Sequence, residues 1–385
     1  MMDRSDGCAR RLQRRGGAGR RSRANLSAGR GRPGLSAVLG AVLLLSSGLL
    51  SVRPLGAQEK LRVVTTLTSY AAIAREVTGD LADVQSIARG DMDPHFVNAR
   101  PSYAALIQKA DLLVATGLDL ELWLPGLLDR ANNSRVVEGS PGYVAAYAGI
   151  KMLQVPTNPS RAAGDIHVYG NPHVHTDPVN GIIIARNILV GLRRVDPSRA
   201  DAYARNEATF EDRVMRRTFG DSLVDMLGSE TLFGLARSYK FWDFARGREF
   251  RGKPLTDYLG GWMAKAAPFR GRRMACYHLN WAYFSARFDV DCAIYIENKP
   301  GIPPSPGHVQ EVIDFMRREH LPALMAANYF SRAQVERVAQ RTGATAVLVP
   351  GDVGGGPGSE DYFATIDLWV SRLADAFTAH PAGGD

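Results

Sequence analysis

Cysteine is scarce in this chain, three residues in 385. None stands near the end of the apolar leader described below, so a lipid-anchored form attached there is not expected. Cys8 belongs to that leader. Cys276 and Cys292 remain and could pair, but sequence separation says nothing of the Cα distance a disulfide needs, and two buried free thiols are the preferred alternative. Net charge is a second shortage. The formal charge of +8 points to a nucleic-acid or anionic-membrane partner, but eleven of the 47 basic residues and only two of the 39 acidic ones lie in residues 1–57, leaving 36 bases against 37 acids in the rest. A near-neutral body has no electrostatic footprint for phosphate backbones, so no nucleic-acid partner is expected. Long apolar runs are also missing. Leu35 to Leu50 is interrupted by serine and glycine and falls short of the roughly 20 residues that a spanning helix needs. It follows an arginine-rich stretch, Arg4 to Arg32, and precedes the small-residue pattern Leu55-Gly56-Ala57. Residues 1–57 are therefore expected to be a signal peptide cleaved near Ala57, with the mature protein in the periplasm. Finally, no histidine pair follows the local zinc signature His-Glu-x-x-His.

What is present is alternation. Strand-like runs at Leu61 to Leu67, Ala82 to Ile87, Asp111 to Thr116 and Arg135 to Glu138 are separated by helical patterns at Ser69 to Thr78, Ser102 to Lys109 and Leu122 to Arg130. The second half repeats this, with strands at Arg273 to Tyr277, Ala293 to Ile296, Ala323 to Ala327 and Ala346 to Val349. Strands alternating with helices imply parallel sheet built from βαβ units. Between the halves a long helical pattern runs from Val179 through the Arg213 region, interrupted near Asp196-Pro197. The expected organisation is an N-terminal α/β lobe over 58–178, a rigid connecting helix over 179–218 and a C-terminal α/β lobe over 219–385. Ligands of open α/β sheets bind outside the carboxyl ends of strands, so two facing lobes define a cleft between strand-end loops.

Three of the eight histidines fall at such loops: His95 after the second strand, His173 at the end of a Gly/Pro/Asn-rich loop, and His278 directly after a strand. Neutral imidazole is a good zinc ligand, and three imidazoles with one oxygen donor make a tetrahedral site. Spacing alone supports only a two-lobed α/β protein with candidate histidines.

The segments around these histidines say more. Asp93-Pro94-His95 with Arg100-Pro101-Ser102, Gly117-Leu118-Asp119-Leu120-Glu121-Leu122-Trp123-Leu124, Gly170-Asn171-Pro172-His173 and Tyr277-His278-Leu279-Asn280-Trp281 occur in one order across residues 61–378. Together they resemble the ZnuA/TroA-like metal receptors of ABC importers. The resemblance implies two lobes, each a four-stranded parallel sheet flanked by helices, joined by a long helix with the metal at their interface. It maps His95, His173 and His278 onto metal ligands and makes Asp352, in Pro350-Gly351-Asp352, the candidate fourth. His167 is an accessory candidate that would relay metal into the cleft, and His175 stands where relatives carry an aromatic residue. Asp91, Asp93 and Glu297 are candidate outer partners of the ligating rings. A third histidine at 278, where manganese-binding relatives tend to have a carboxylate, favours Zn2+ as the transported ligand.

The resemblance therefore implies a monomeric, non-enzymatic zinc receptor partnered by an inner-membrane ABC permease, with a periplasmic metallochaperone as a further candidate partner. The alternatives are a manganese-binding receptor or adhesin of the same fold and, in a different class, a periplasmic zinc hydrolase with Glu297 as its base.

Overall fold

A computed structural model describes residues 59–157, 167–297 and 301–381. The expected signal peptide lies outside the described residues. The chain begins with β1 (Leu61–Thr65), α1 (Thr68–Thr78), β2 (Ala82–Ser86), α2 (Pro101–Gln108), β3 (Leu112–Ala115), α3 (Leu124–Ala131) and β4 (Tyr143–Ala145). These strands form one parallel sheet in the order β2-β1-β3-β4. Leu112, Leu113, Val114 and Ala115 are all buried, as a strand covered on both faces by helices requires.

The last strand of this lobe is a correction. The sequence pattern predicts a strand over Arg135 to Glu138, but Asn133 folds that segment into turns by accepting from Arg135 N–H at 3.2 Å. Pairing resumes only after Gly142, whose carbonyl accepts from Leu113 N–H at 2.8 Å.

Helices α4 (Pro178–Val195), α5 (Ala200–Phe219), α6 (Asp221–Leu227), α7 (Ser229–Arg237) and α8 (Phe241–Ala245) follow, then a short hairpin of β5 (Glu249–Phe250) and β6 (Lys253–Pro254), and α9 (Gly261–Lys265). The connecting segment, with its interruption near Asp196-Pro197, forms two helices packed on each other, α4 and α5. The break is chemical: Pro197 has no N–H to continue α4, and Asp196 accepts from Ser198 Oγ at 2.8 Å and Tyr203 Oη at 2.6 Å. Helix α4 touches both lobes through glycines. A Cβ at Gly191 would sit 2.4 Å from Val144 of the first lobe, and one at Gly181 would sit 2.0 Å from the Tyr362 hydroxyl of the second.

The second lobe contains β7 (Arg272–Cys276), α10 (Ala282–Phe288), β8 (Val290–Tyr295), α11 (Pro306–Arg318), β9 (Ala323–Ala327), α12 (Arg332–Thr342), β10 (Thr345–Val349) and α13 (Tyr362–Thr378). Its parallel sheet runs β10-β9-β7-β8. Cys276 and Cys292 are joined by a disulfide with their Cα atoms 5.5 Å apart, which corrects the expectation of free thiols. Parallel pairing of β7 with β8, shifted by an irregularity between Met274 and Ala275, brings the two positions together.

Candidate metal centre

Each histidine of interest leaves a strand end or a helix start. His95 lies in the loop after β2, held where Trp123 Nε1 donates to Pro94 O at 2.8 Å. His173 precedes α4, its own N–H capped by Asn171 Oδ1 at 2.9 Å. Asn171 also donates through Nδ2 to Leu279 O at 2.7 Å, and its carbonyl accepts from Tyr283 Oη at 2.6 Å. The loop carrying His173 is thereby fastened to the loop following His278. His278 comes directly off β7, beside Phe330 at 5.7 Å between ring centroids.

The four rings His95, His167, His173 and His278 converge. The His95 centroid lies 5.4 Å from His167, 5.0 Å from His173 and 5.3 Å from His278, and His173 and His278 are 5.5 Å apart. Donor atoms of His95, His167 and His173 all lie within 4.8 Å of one another. His173 Nε2 and both ring nitrogens of His278 are buried with no hydrogen-bond partner among the described residues. Buried polar atoms are nearly always satisfied, so orphans that converge are the mark of a site for a ligand.

Carboxylates decide which nitrogens face inward. His95 Nδ1 lies 2.7 Å from Asp93 Oδ1, and His167 Nδ1 lies 3.1 Å from Asp119 Oδ1. A carboxylate only accepts, so each Nδ1 carries a proton and Nε2 is the ring atom left for another partner. Those two Nε2 atoms face each other at 3.3 Å. Two lone pairs so placed repel unless a proton or a metal ion lies between them. Glu297 Oε2 stands 3.6 Å from His278 Nδ1, too far for a hydrogen bond, while its Oε1 accepts from Gly301 N–H at 2.6 Å.

Electrostatics keep the buried rings neutral. Burial, reinforced by His95 and His278, pushes the His173 imidazole well below its ordinary range. His278 is pushed down to about 3 by burial and by His95, against the opposing pull of Asp93. Burial also raises the Glu297 carboxyl. At Asp93 burial acts in the same upward sense, but the hydrogen bond and charge of His95 outweigh it and hold the carboxyl low.

Asp352, expected as the fourth ligand, is not among the mutually close donors His95, His167 and His173, and neither is His278. Its Oδ1 accepts from Ser69 N–H at 2.7 Å, from the Ser69 hydroxyl and from Val353 N–H at 2.9 Å. The first turn of α1 leaves free N–H groups and a partial positive charge, which attract this carboxylate from the opposite lobe. His167, read as accessory, lies inside the group. Of the carboxylates expected as outer partners, Asp93 lies against the His95 ring, whereas Asp91 forms an exposed pair with Arg89. His175 is buried edge-on against Tyr70 at 6.1 Å, a packing role. Ser69 carries no signal in the sequence, and Asp119 stands out there only as part of the segment Gly117 to Leu124, with nothing to tie it to His167, because their partners lie far away along the chain.

Known proteins share this architecture. The family model described as ZnuA, zinc-uptake complex component A, periplasmic, matches residues 63–217 and 255–376. The iron-binding protein YfeA of Yersinia pestis is 23% identical over 338 residues, spanning 87% of this chain and 92% of that protein. The manganese ABC transporter substrate-binding lipoprotein PsaA of Streptococcus pneumoniae is 29% identical over 190 residues, 47% of this chain and 58% of that protein. A crystal structure of ZnuA superposes with a TM-score of 0.60 at 20% identity, covering 83% of this chain and all of that one. A manganese-bound periplasmic metal-binding protein from Candidatus Liberibacter asiaticus gives 0.58 at 17% identity over the same shares. These structural likenesses establish the fold. The names of these relatives span zinc, manganese and iron. The chain belongs to the ZnuA/TroA family of periplasmic metal receptors, non-catalytic partners of membrane ABC permeases.

Proposed function

We propose that the cargo is Zn2+, held by the Nε2 atoms of His95 and His167 together with His173 and His278 and handed to an ABC permease. One observation carries the reading, the 3.3 Å separation of the two Nε2 atoms. Zn–N bonds of about 2.0–2.1 Å in a tetrahedron place neighbouring nitrogens about 3.3–3.4 Å apart. Two carboxylate-held imidazoles at that spacing match two vertices of a zinc site. The orphaned nitrogens of His173 and His278 supply the remaining donors. Four neutral imidazoles suit zinc, whereas manganese prefers oxygen donors. In this reading Asp352 fastens the lobes at Ser69 instead of coordinating the ion.

A manganese receptor is the second reading, favoured by relatives named for manganese. Metal analysis of the purified mature protein, with zinc and manganese in competition, separates the two. Retention of zinc, abolished in His95→Ala, is the expected result, and preferential retention of manganese overturns the zinc assignment.

A further inference from the structure

We propose that Asp119 is a positioning residue that makes His167 the fourth imidazole of the site and so sets the preference for zinc over manganese. This rests on the zinc reading above. Asp119 stands on an unusually constrained loop. Gly117 opens that loop at φ +83°, where a Cβ would lie 2.6 Å from Ala145 Cβ. On the other side, buried Glu121 accepts from Thr66 Oγ1 at 2.6 Å, Thr116 Oγ1 at 2.7 Å and Thr116 N–H at 3.0 Å. Trp123, at the end of the same loop, donates to Pro94 beside His95. A single platform therefore sets the position of His95 and, through Asp119, that of His167.

Among the described residues the ring hydrogen bonds of His167 go only to Asp119 and His95. The carboxylate performs two tasks. It orients the ring, and by holding the proton on Nδ1 it leaves Nε2 as the donor. With Asp119 removed, the ring is free to rotate and to carry its proton on either nitrogen. The fourth coordination position then passes to water, an oxygen donor that manganese accepts readily and that costs zinc a nitrogen ligand.

The test measures zinc and manganese dissociation constants of the mature protein by competition with a chromophoric chelator. Wild type, Asp119→Ala, Asp119→Asn, His167→Ala and the Asp119→Ala/His167→Ala double variant are compared. Asp119→Ala is expected to weaken zinc about 10–100-fold, as loss of an outer partner of a ligating histidine does. Manganese should change much less. The double variant should match His167→Ala alone, because Asp119 acts only through that ring. Asp119→Asn should restore part of the loss, since its Oδ1 still accepts from Nδ1–H. Unchanged zinc affinity in Asp119→Ala overturns the proposal, as do a parallel loss of both metals and an additive loss in the double variant. The zinc reading is judged separately, on the wild-type curves alone. A wild-type preference for manganese sinks both readings, whereas a wild-type preference for zinc with a silent Asp119→Ala sinks only this one.

Discussion

Arg287 donates to both oxygens of Asp177, Nε to Oδ1 at 2.8 Å and Nη2 to Oδ2 at 2.7 Å, and both side chains are buried. Asp177 caps α4 by accepting from Val179 N–H at 2.8 Å and also accepts from Tyr239 Oη at 2.9 Å, while Arg287 donates to Ala236 O at 2.9 Å. Asp177 follows the loop of His173, and Arg287 sits in the helix that follows His278. One buried ion pair, with both carboxylate oxygens and the Nε and Nη2 donors engaged, therefore joins the two segments that bring these histidines together.

Breaking that pair from one side strands a buried charge. Asp177→Ala should lower the unfolding free energy by about 3–5 kcal/mol, the cost of leaving a buried partner unpaired, with the lost helix cap included. Removing both groups, in Asp177→Ala/Arg287→Met, should cost less than the sum of the single changes. Chemical denaturation of the four proteins measures the coupling. Strict additivity would show that the pair is not energetically linked.

The disulfide between Cys276 and Cys292 gives a second prediction. It closes a segment with a sequence separation of 16 residues, and cross-linking a loop of that size restricts the unfolded chain by about 3 kcal/mol. Replacing both cysteines by alanine should lower stability by roughly that amount. Cys276 leads directly into His278, so zinc affinity is expected to fall in the same variant. Equal denaturation midpoints for the two proteins would refute the stability claim.

Two glycines make opposite predictions. A Cβ on Gly90, in the loop carrying His95, would meet Val353 O at 2.2 Å and Gly355 N at 2.5 Å in the facing lobe. Gly90→Ala should therefore push the lobes apart, destabilising by about 1–3 kcal/mol and weakening metal binding. Gly126, inside α3, has open space where an alanine methyl would stand, with nothing within 4 Å, so Gly126→Ala should stabilise by about 0.4–1 kcal/mol. Thermal unfolding of both variants beside wild type checks the pair, and destabilisation of similar size in both would remove the argument from lobe contact.

Much of the fold was legible because periodicity is a local property. The alternation of apolar strands with helical patterns located seven of the eight main-sheet strands, and it failed at β4, where Val136 and Val137 look like a strand but are spent on a turn. His95, His173 and His278 could be singled out by the segments around them. The rest of the site depends on distant partners. Nothing near Asp119 indicates that it meets His167, and nothing near Asp352 indicates that Ser69 claims its carboxylate. Cys276 and Cys292 likewise required the pairing of β7 with β8 to be known.

The buried imidazoles make the metal-free protein sensitive to acid. His278 is held down to about 3, and His173 and His175 are also held below the ordinary value of about 6.5 expected in the unfolded chain. Below that value the unfolded chain takes up protons that the folded rings refuse. More protons on the unfolded state means that stability rises with pH, so the contribution of each ring is intact above pH ~6.5 and is lost as pH falls toward its folded value. Each such ring contributes up to about 1.4 kcal/mol per pH unit. Glu297 and Glu121, raised by burial, act with the opposite sign at lower pH and moderate the slope. Metal-free wild type should therefore lose stability between pH ~7 and ~5. His278→Leu removes one of the refusing rings and fills its place with apolar atoms, so its curve should be flatter by about one proton. Denaturant titrations of the two metal-free proteins at a series of pH values measure the difference. Identical slopes would mean that the His278 ring accepts a proton in the folded state, and that the site is not kept ready for a cation by neutral imidazoles.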